Sequence, residues 1–204
     1  MPSKVTAETG MDALTHAVEA YISEIATSES NLYASTAVKL IFENLRIAYN
    51  EPKNLPAREA MALASHYGGL ALNMAGLGYV HGIAHQLGGY YGLPHGLSNA
   101  IVMPHILDFS RPVIDEKLAE LARFSGLVTQ ESSTPVAAQA FMNELHKLMT
   151  ELNIKTVVPN MLESDFNDIM QAAFKEVHGT YAVPKYMTED DCLQILYVLA
   201  QANK

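Results

Sequence analysis

One aspartate and four histidines have the types and spacing to do chemistry. Asp12 and His16 stand four positions apart in Thr9-Gly10-Met11-Asp12-Ala13-Leu14-Thr15-His16. On a helix that spacing puts both side chains on one face, one turn apart. A carboxylate and an imidazole so placed can share a divalent cation or simply hydrogen-bond to each other. Asp12, read as lying near a helix start, also gains from the helix dipole. His81 and His85 repeat the four-residue spacing, and Leu93-Pro94-His95-Gly96 follows. The segment between them, Gln86-Leu87-Gly88-Gly89-Tyr90-Tyr91-Gly92, has the glycines for a sharp reversal that would carry His95 back towards His81. Each histidine taken alone also fits a core role.

Together, Asp12, His16, His81 and His95 offer one carboxylate and three imidazoles. That set suits Fe(II), Zn(II) or Ni(II), with Mn(II) also accommodated, and its lack of thiolate argues against a soft-metal site. A catalytic metal also needs an open position for substrate. His85 shares a helix face with His81 and is not needed as a ligand. Beside a Lewis acid, such an imidazole suits proton transfer or substrate orientation.

The elements that must position these groups read as helices. From Ala60 to Leu107 there is no Asp, Glu, Lys or Arg, and five of the eight histidines fall in this stretch. A charge-free segment of that length predicts the centre of the fold, with imidazole as its concentrated polar group. Leu14, Val18, Tyr21/Ile22 and Ile25 recur at helical spacing, as do Ala34, Ala37/Val38, Ile41, Leu45 and Ala48. Further helical runs are predicted over 57–72, 114–124, 135–152, 165–174 and 189–200. Gly68, Gly69, Gly76 and Gly78 mark the end of the third run, Pro135 suits a helix start, and Thr188 with Asp191 reads as an N-cap pair. No strand ladder is evident, and the proline-bounded segments 156–159 and 180–184 read as loops. The fold class is therefore all-α, with residues 1–204 as one helical domain.

Composition narrows the function further. Thirteen basic residues against twenty-two acidic give a net charge of −9. An acidic surface is a poor match for nucleic acid or an anionic membrane. No apolar run reaches the roughly 18 residues of a bilayer span, and no targeting signal is visible. Cys192 is the single cysteine, so no internal disulfide forms, and a reducing cytoplasm is the default expectation.

Three segments carry a resemblance. Thr9–Glu19, Ala75–Gly89, and Leu93-Pro94-His95-Gly96 with Asn99-Ala100 and Met103-Pro104-His105 resemble the iron-containing alcohol dehydrogenase family, in order and spacing. The resemblance implies metal ligands at Asp12, His16, His81 and His95, and places His85 near the nicotinamide and substrate. It implies Fe(II), with Zn(II) in some relatives, and NAD or NADP as hydride carrier. The implied substrates are short alcohols, diols and their aldehydes. The implied fold is the helical C-terminal domain, of dehydroquinate synthase-like α type, and the family also carries an N-terminal dinucleotide-binding domain. Here there is no Gly-x-Gly-x-x-Gly after a strand. The chain therefore reads as the metal-binding half of such an enzyme, expected to be inactive alone, and a homo-oligomer is left open. Gly82 stands where alanine is commoner and Gly92 where a polar residue is usual, departures expected to loosen the site. Glu8 replaces a common alanine.

Two other readings stand beside this one. One is an all-α metal-dependent hydrolase, although the adjacent His-Asp pair usual in such sites does not occur. The other is a non-catalytic helical metal-binding or assembly module. Ser98 and Asn99 are candidates for orienting a ligand. Tyr90 and Tyr91 line a pocket or pack. His66, His105, His146 and His178 are read as structural or surface groups, the methionines as core filler and Cys192 as a core residue of the last helix.

Overall fold

Alanine and leucine dominate the apolar positions, and the chain folds here into helices alone. The computed structural model describes residues 1–200, and no strand occurs among them. Eight helices follow in order: α1 (Ser3–Ile22), α2 (Ser28–Asn50), α3 (Leu55–Ala75), α4 (Tyr79–Tyr91), α5 (His95–Phe124), α6 (Thr134–Glu151), α7 (Phe166–Val177) and α8 (Glu189–Ala200). A 3-10 turn at Glu163–Asp165 leads into α7. Local signals set several boundaries. Thr27 and Ser30 form a reciprocal capping box at the start of α2, and Asn54 accepts a bond from the Ala57 N–H at the start of α3. Thr188 and Asp191 bond to each other's backbone N–H at the start of α8, as their spacing predicts.

The first helix is the central one. Thirteen of its residues are buried, and it packs against α2, α3 and α5. α4 lies between α5 and α7, α6 covers the far half of α5, and α8 rests on α7 and α5. Eight of the ten methionines are buried, as expected of flexible core filler. Cys192 is fully buried in α8, where loss of hydration pushes its thiol up to about 12.

Four local expectations are corrected. α1 begins at Ser3, so Asp12 lies mid-helix, outside the first turn where a dipole acts. α1 ends at Ile22, and Ile25 is exposed in the turn that follows. α3 runs straight through Gly68 and Gly69 and stops at Gly76. The reversal expected across 86–92 is shorter: α4 continues through Gly88 and Gly89 and ends at Gly92, whose φ of 65° is left-handed. Three residues later, at His95, α5 starts, and it carries Pro104 and Pro112 inside one continuous 30-residue helix. Its first half is the apolar, proline-containing stretch that sequence periodicity leaves unassigned.

Candidate metal centre

Three helices converge on one point. α1 supplies Asp12 and His16 from its buried middle, α4 supplies His81 from its first turn, and α5 supplies His95 as its first residue. Close backbone approach makes this convergence feasible. A Cβ on Gly96 would lie 2.2 Å from the Glu8 carbonyl oxygen and 3.2 Å from the Asp12 Cβ, so only glycine lets α5 begin against α1. The same contact gives Glu8 its place: its backbone, rather than its carboxylate, meets the site.

One donor atom from each of Asp12, His16, His81 and His95 lies within 4.8 Å of all the others. Asp12 Oδ1 is 3.2 Å from His95 Nε2, and Asp12 Oδ2 is 3.8 Å from His16 Nε2. The rings of His16 and His81 are stacked with centroids 5.0 Å apart, and His81 and His95 are 5.4 Å apart. His81 is buried, Asp12 and His16 are half-buried, and His95 is exposed, so the cluster opens to one side. Burial holds both the His16 and His95 imidazoles below their ordinary range, against the opposing pull of the Asp12 charge. Both therefore favour the neutral form that offers a lone pair.

A buried carboxylate that the spacing argument did not single out completes the centre. Glu19, almost fully buried on α1, accepts from the Val80 backbone N–H at 2.7 Å and pairs with His81 Nδ1 at 2.5 Å. With Nδ1 so engaged, His81 presents Nε2 to the cluster. The signal was available: Glu19 is the only acidic residue in the run 13–22 and lies one turn beyond His16. Glu176 on α7 likewise pairs with His85 Nδ1 at 2.7 Å. His85 itself stacks on His95 at 5.3 Å, beside the four donors.

The donor set fits a divalent first-row cation. Metal–ligand bonds of about 2.0–2.2 Å place opposing donors at most about 4.4 Å apart, close to the spacing observed. Asn99 gives an independent sign. This fully buried side chain places Nδ2 at 2.7 Å from Asp12 Oδ1, 3.0 Å from His81 Nε2 and 3.2 Å from His95 Nε2. One group with two hydrogens thus faces three polar atoms, and Asn99 Oδ1 is buried without a partner. A cation among these donors satisfies the carboxylate and the imidazole lone pairs together.

The remaining candidates separate cleanly. Ser98 turns away and bonds the Pro94 carbonyl. The Tyr91 hydroxyl donates to Asp165 and accepts from the Leu162 N–H, so it pins the turn before α7, whereas Tyr90 is exposed. His66, His146 and His178 are exposed and His105 is half-buried against the Thr156 carbonyl, all outside the cluster. At Gly82 α4 presses closely against Val177 of α7.

Comparison with known proteins places the chain among relatives. Residues 6–199 match the model of the Fe-containing alcohol dehydrogenase family, C-terminal. The chain is 41% identical over 196 residues to the 1,3-propanediol dehydrogenase of Citrobacter freundii, covering 95% of this chain and 50% of that protein. It is 38% identical over 197 residues to the NAD-dependent methanol dehydrogenase of Bacillus methanolicus, covering 96% and 51%. The crystal structure of a 1,3-propanediol oxidoreductase superposes with a TM-score of 0.91 at 39% identity, covering 98% of this chain and 52% of that one. An alcohol dehydrogenase from Oenococcus oeni superposes equally well, with a TM-score of 0.91 at 34% identity, covering 98% and 52%. The chain thus spans about half the length of these relatives.

Proposed function

The chain belongs to the iron-containing alcohol dehydrogenase family, and from that premise we propose that it is the metal-binding, catalytic half of an NAD(P)-linked alcohol dehydrogenase. Its substrates are short alcohols or diols and their aldehydes, in keeping with relatives named for 1,3-propanediol and methanol. Asp12, His16, His81 and His95 hold one divalent ion, Fe(II) foremost and Zn(II) as the alternative. The observation that carries this reading is the convergence of those four donors from three helices.

A divalent ion bound there supplies Lewis-acid polarisation of an alcohol or aldehyde oxygen. The chain's own groups do the rest. Asp12 brings the one negative charge of the donor set. Glu19 orients His81, and Asn99 Nδ2 lies within hydrogen-bond distance of Asp12, His81 and His95. His85, beside the cluster and not part of it, handles the proton exchanged with substrate and faces the nicotinamide. The 204 residues taken alone bind the ion and turn over little or no alcohol, because the relatives are about twice as long. No described helix is long and apolar enough to cross a membrane, and a cytoplasmic setting suits the unpaired buried cysteine.

Metal analysis of anaerobically purified protein tests the reading. Asp12→Ala, His16→Ala, His81→Ala and His95→Ala each lower the metal content, and His85→Ala does not. Undiminished metal in all four variants would sink the assignment. Quenching or enhancement of NAD(P)H fluorescence by the metal-loaded chain separates a catalytic half from a non-catalytic metal-binding module.

A further inference from the structure

The contact between α4 and α7 brings a carboxylate to His85 from outside the donor cluster. Glu176 lies in the last turn of α7. Its Oε1 pairs with His85 Nδ1 at 2.7 Å and accepts from the Tyr181 hydroxyl at 3.1 Å, and its Oε2 accepts from Gln86 Nε2 at 3.3 Å. Tyr181 remains a donor, since burial, then the Glu176 charge and the hydrogen bond itself, push its phenol up to about 12. An ionised carboxylate only accepts, so the proton of a neutral His85 sits on Nδ1 and the lone pair on Nε2. The ring face is held as well, stacked on His95 with an interplanar angle of 22°. No hydrogen bond reaches His85 Nε2 among the described residues.

The close approach of the two helices is built in. A Cβ on Gly82 would lie 2.4 Å from Val177 Cγ2. Val177 is fully buried and adjacent to Glu176 in sequence, so a Cβ at position 82 would require the Val177 side chain to shift beside the carboxylate.

We propose that Glu176 is a positioning residue for the dehydrogenase reaction: backed by Tyr181, it holds His85 in the Nδ1–H tautomer and leaves the Nε2 lone pair free to meet a substrate hydroxyl. This rests on the assignment of His85 as the histidine next to substrate. The carboxylate acts through the imidazole and touches neither the ion nor the alcohol. It selects which ring nitrogen is the acceptor, as the spacing of His81 and His85 alone does not.

Long-range proton–nitrogen correlation NMR of the metal-free chain, labelled with 15N-histidine, reads the tautomer directly. The His85 signals are identified by their loss in His85→Gln. The wild-type chain shows the proton on Nδ1. Glu176→Ala shifts His85 to the Nε2–H form or to an exchanging mixture while the other histidine signals stay in place. Glu176→Gln, which keeps an oxygen acceptor, retains the Nδ1–H form. A wild-type His85 protonated on Nε2 overturns the proposal whether or not any variant folds, and so does an unchanged tautomer in a folded Glu176→Ala. Zn(II) titration of the same sample keeps the two readings apart. Failure of His16, His81 and His95 to respond to Zn(II) counts against the metal site, and the tautomer of His85 is judged independently.

Discussion

Glu19 illustrates how much of the site depends on groups that never touch a ligand. Glu19→Ala removes the acceptor for a buried backbone N–H and for His81 Nδ1 together. The expected cost is about 1–3 kcal/mol in urea unfolding, with metal affinity about 10–100-fold weaker in a Zn(II) titration. The lowered imidazoles give a second expectation. The folded state holds His16 and His95 below the ordinary value of 6.5, mainly through burial, and His105 follows the same sign. The unfolded chain therefore binds more protons in this range, and stability rises with pH there. The metal-free chain loses stability as pH falls below 6.5 towards the depressed folded-state values. Urea midpoints measured on either side of that value check this, and the slope flattens in His16→Gln and His95→Gln. The i, i+4 pairs made Asp12, His16, His81 and His85 legible in the sequence. Glu176 was not, because its partner lies far along the chain and no local spacing links them.

At the scale of elements, two glycines make opposite forecasts. Gly96→Ala sets a Cβ against the Glu8 backbone, which cannot rotate aside as a side chain would. It should destabilise the chain by about 1–3 kcal/mol and part His95 from Asp12, with Zn(II) binding lost accordingly. Gly69→Ala, in mid-α3 with nothing near its Cβ, should stabilise by about 0.5–1 kcal/mol. Equilibrium urea unfolding of the two variants decides both. Most helices were legible because their apolar residues recur at helical spacing and because caps such as Thr188 and Asp191 mark their ends. The first half of α5 was hidden because it is largely apolar and carries Pro104, with Pro112 just beyond, and both prolines locally oppose a helix. Packing against α1 and α4 overrides that preference. Gly88 and Gly89 read as helix breakers in the sequence, yet α4 runs through them at its solvent-facing end and stops only at Gly92.

For the whole molecule, an ion bound only by the folded state shifts its unfolding. Zn(II) at roughly a hundred times its Kd adds about 2.7 kcal/mol, visible as a rise in thermal midpoint. In His81→Ala the midpoint is the same with and without added Zn(II). The order of helices also bears on assembly. α1, α2 and α3 are consecutive in the chain and pack on one another. Contacts of short sequence separation form early, during synthesis as in refolding. The nascent polypeptide can therefore build a three-helix wall bearing Asp12 and His16 before α5 leaves the ribosome. A cation encountered at that moment finds one carboxylate and one imidazole. Tight capture must wait for His81 and His95 to arrive, so an immature intermediate has little grip on the wrong metal.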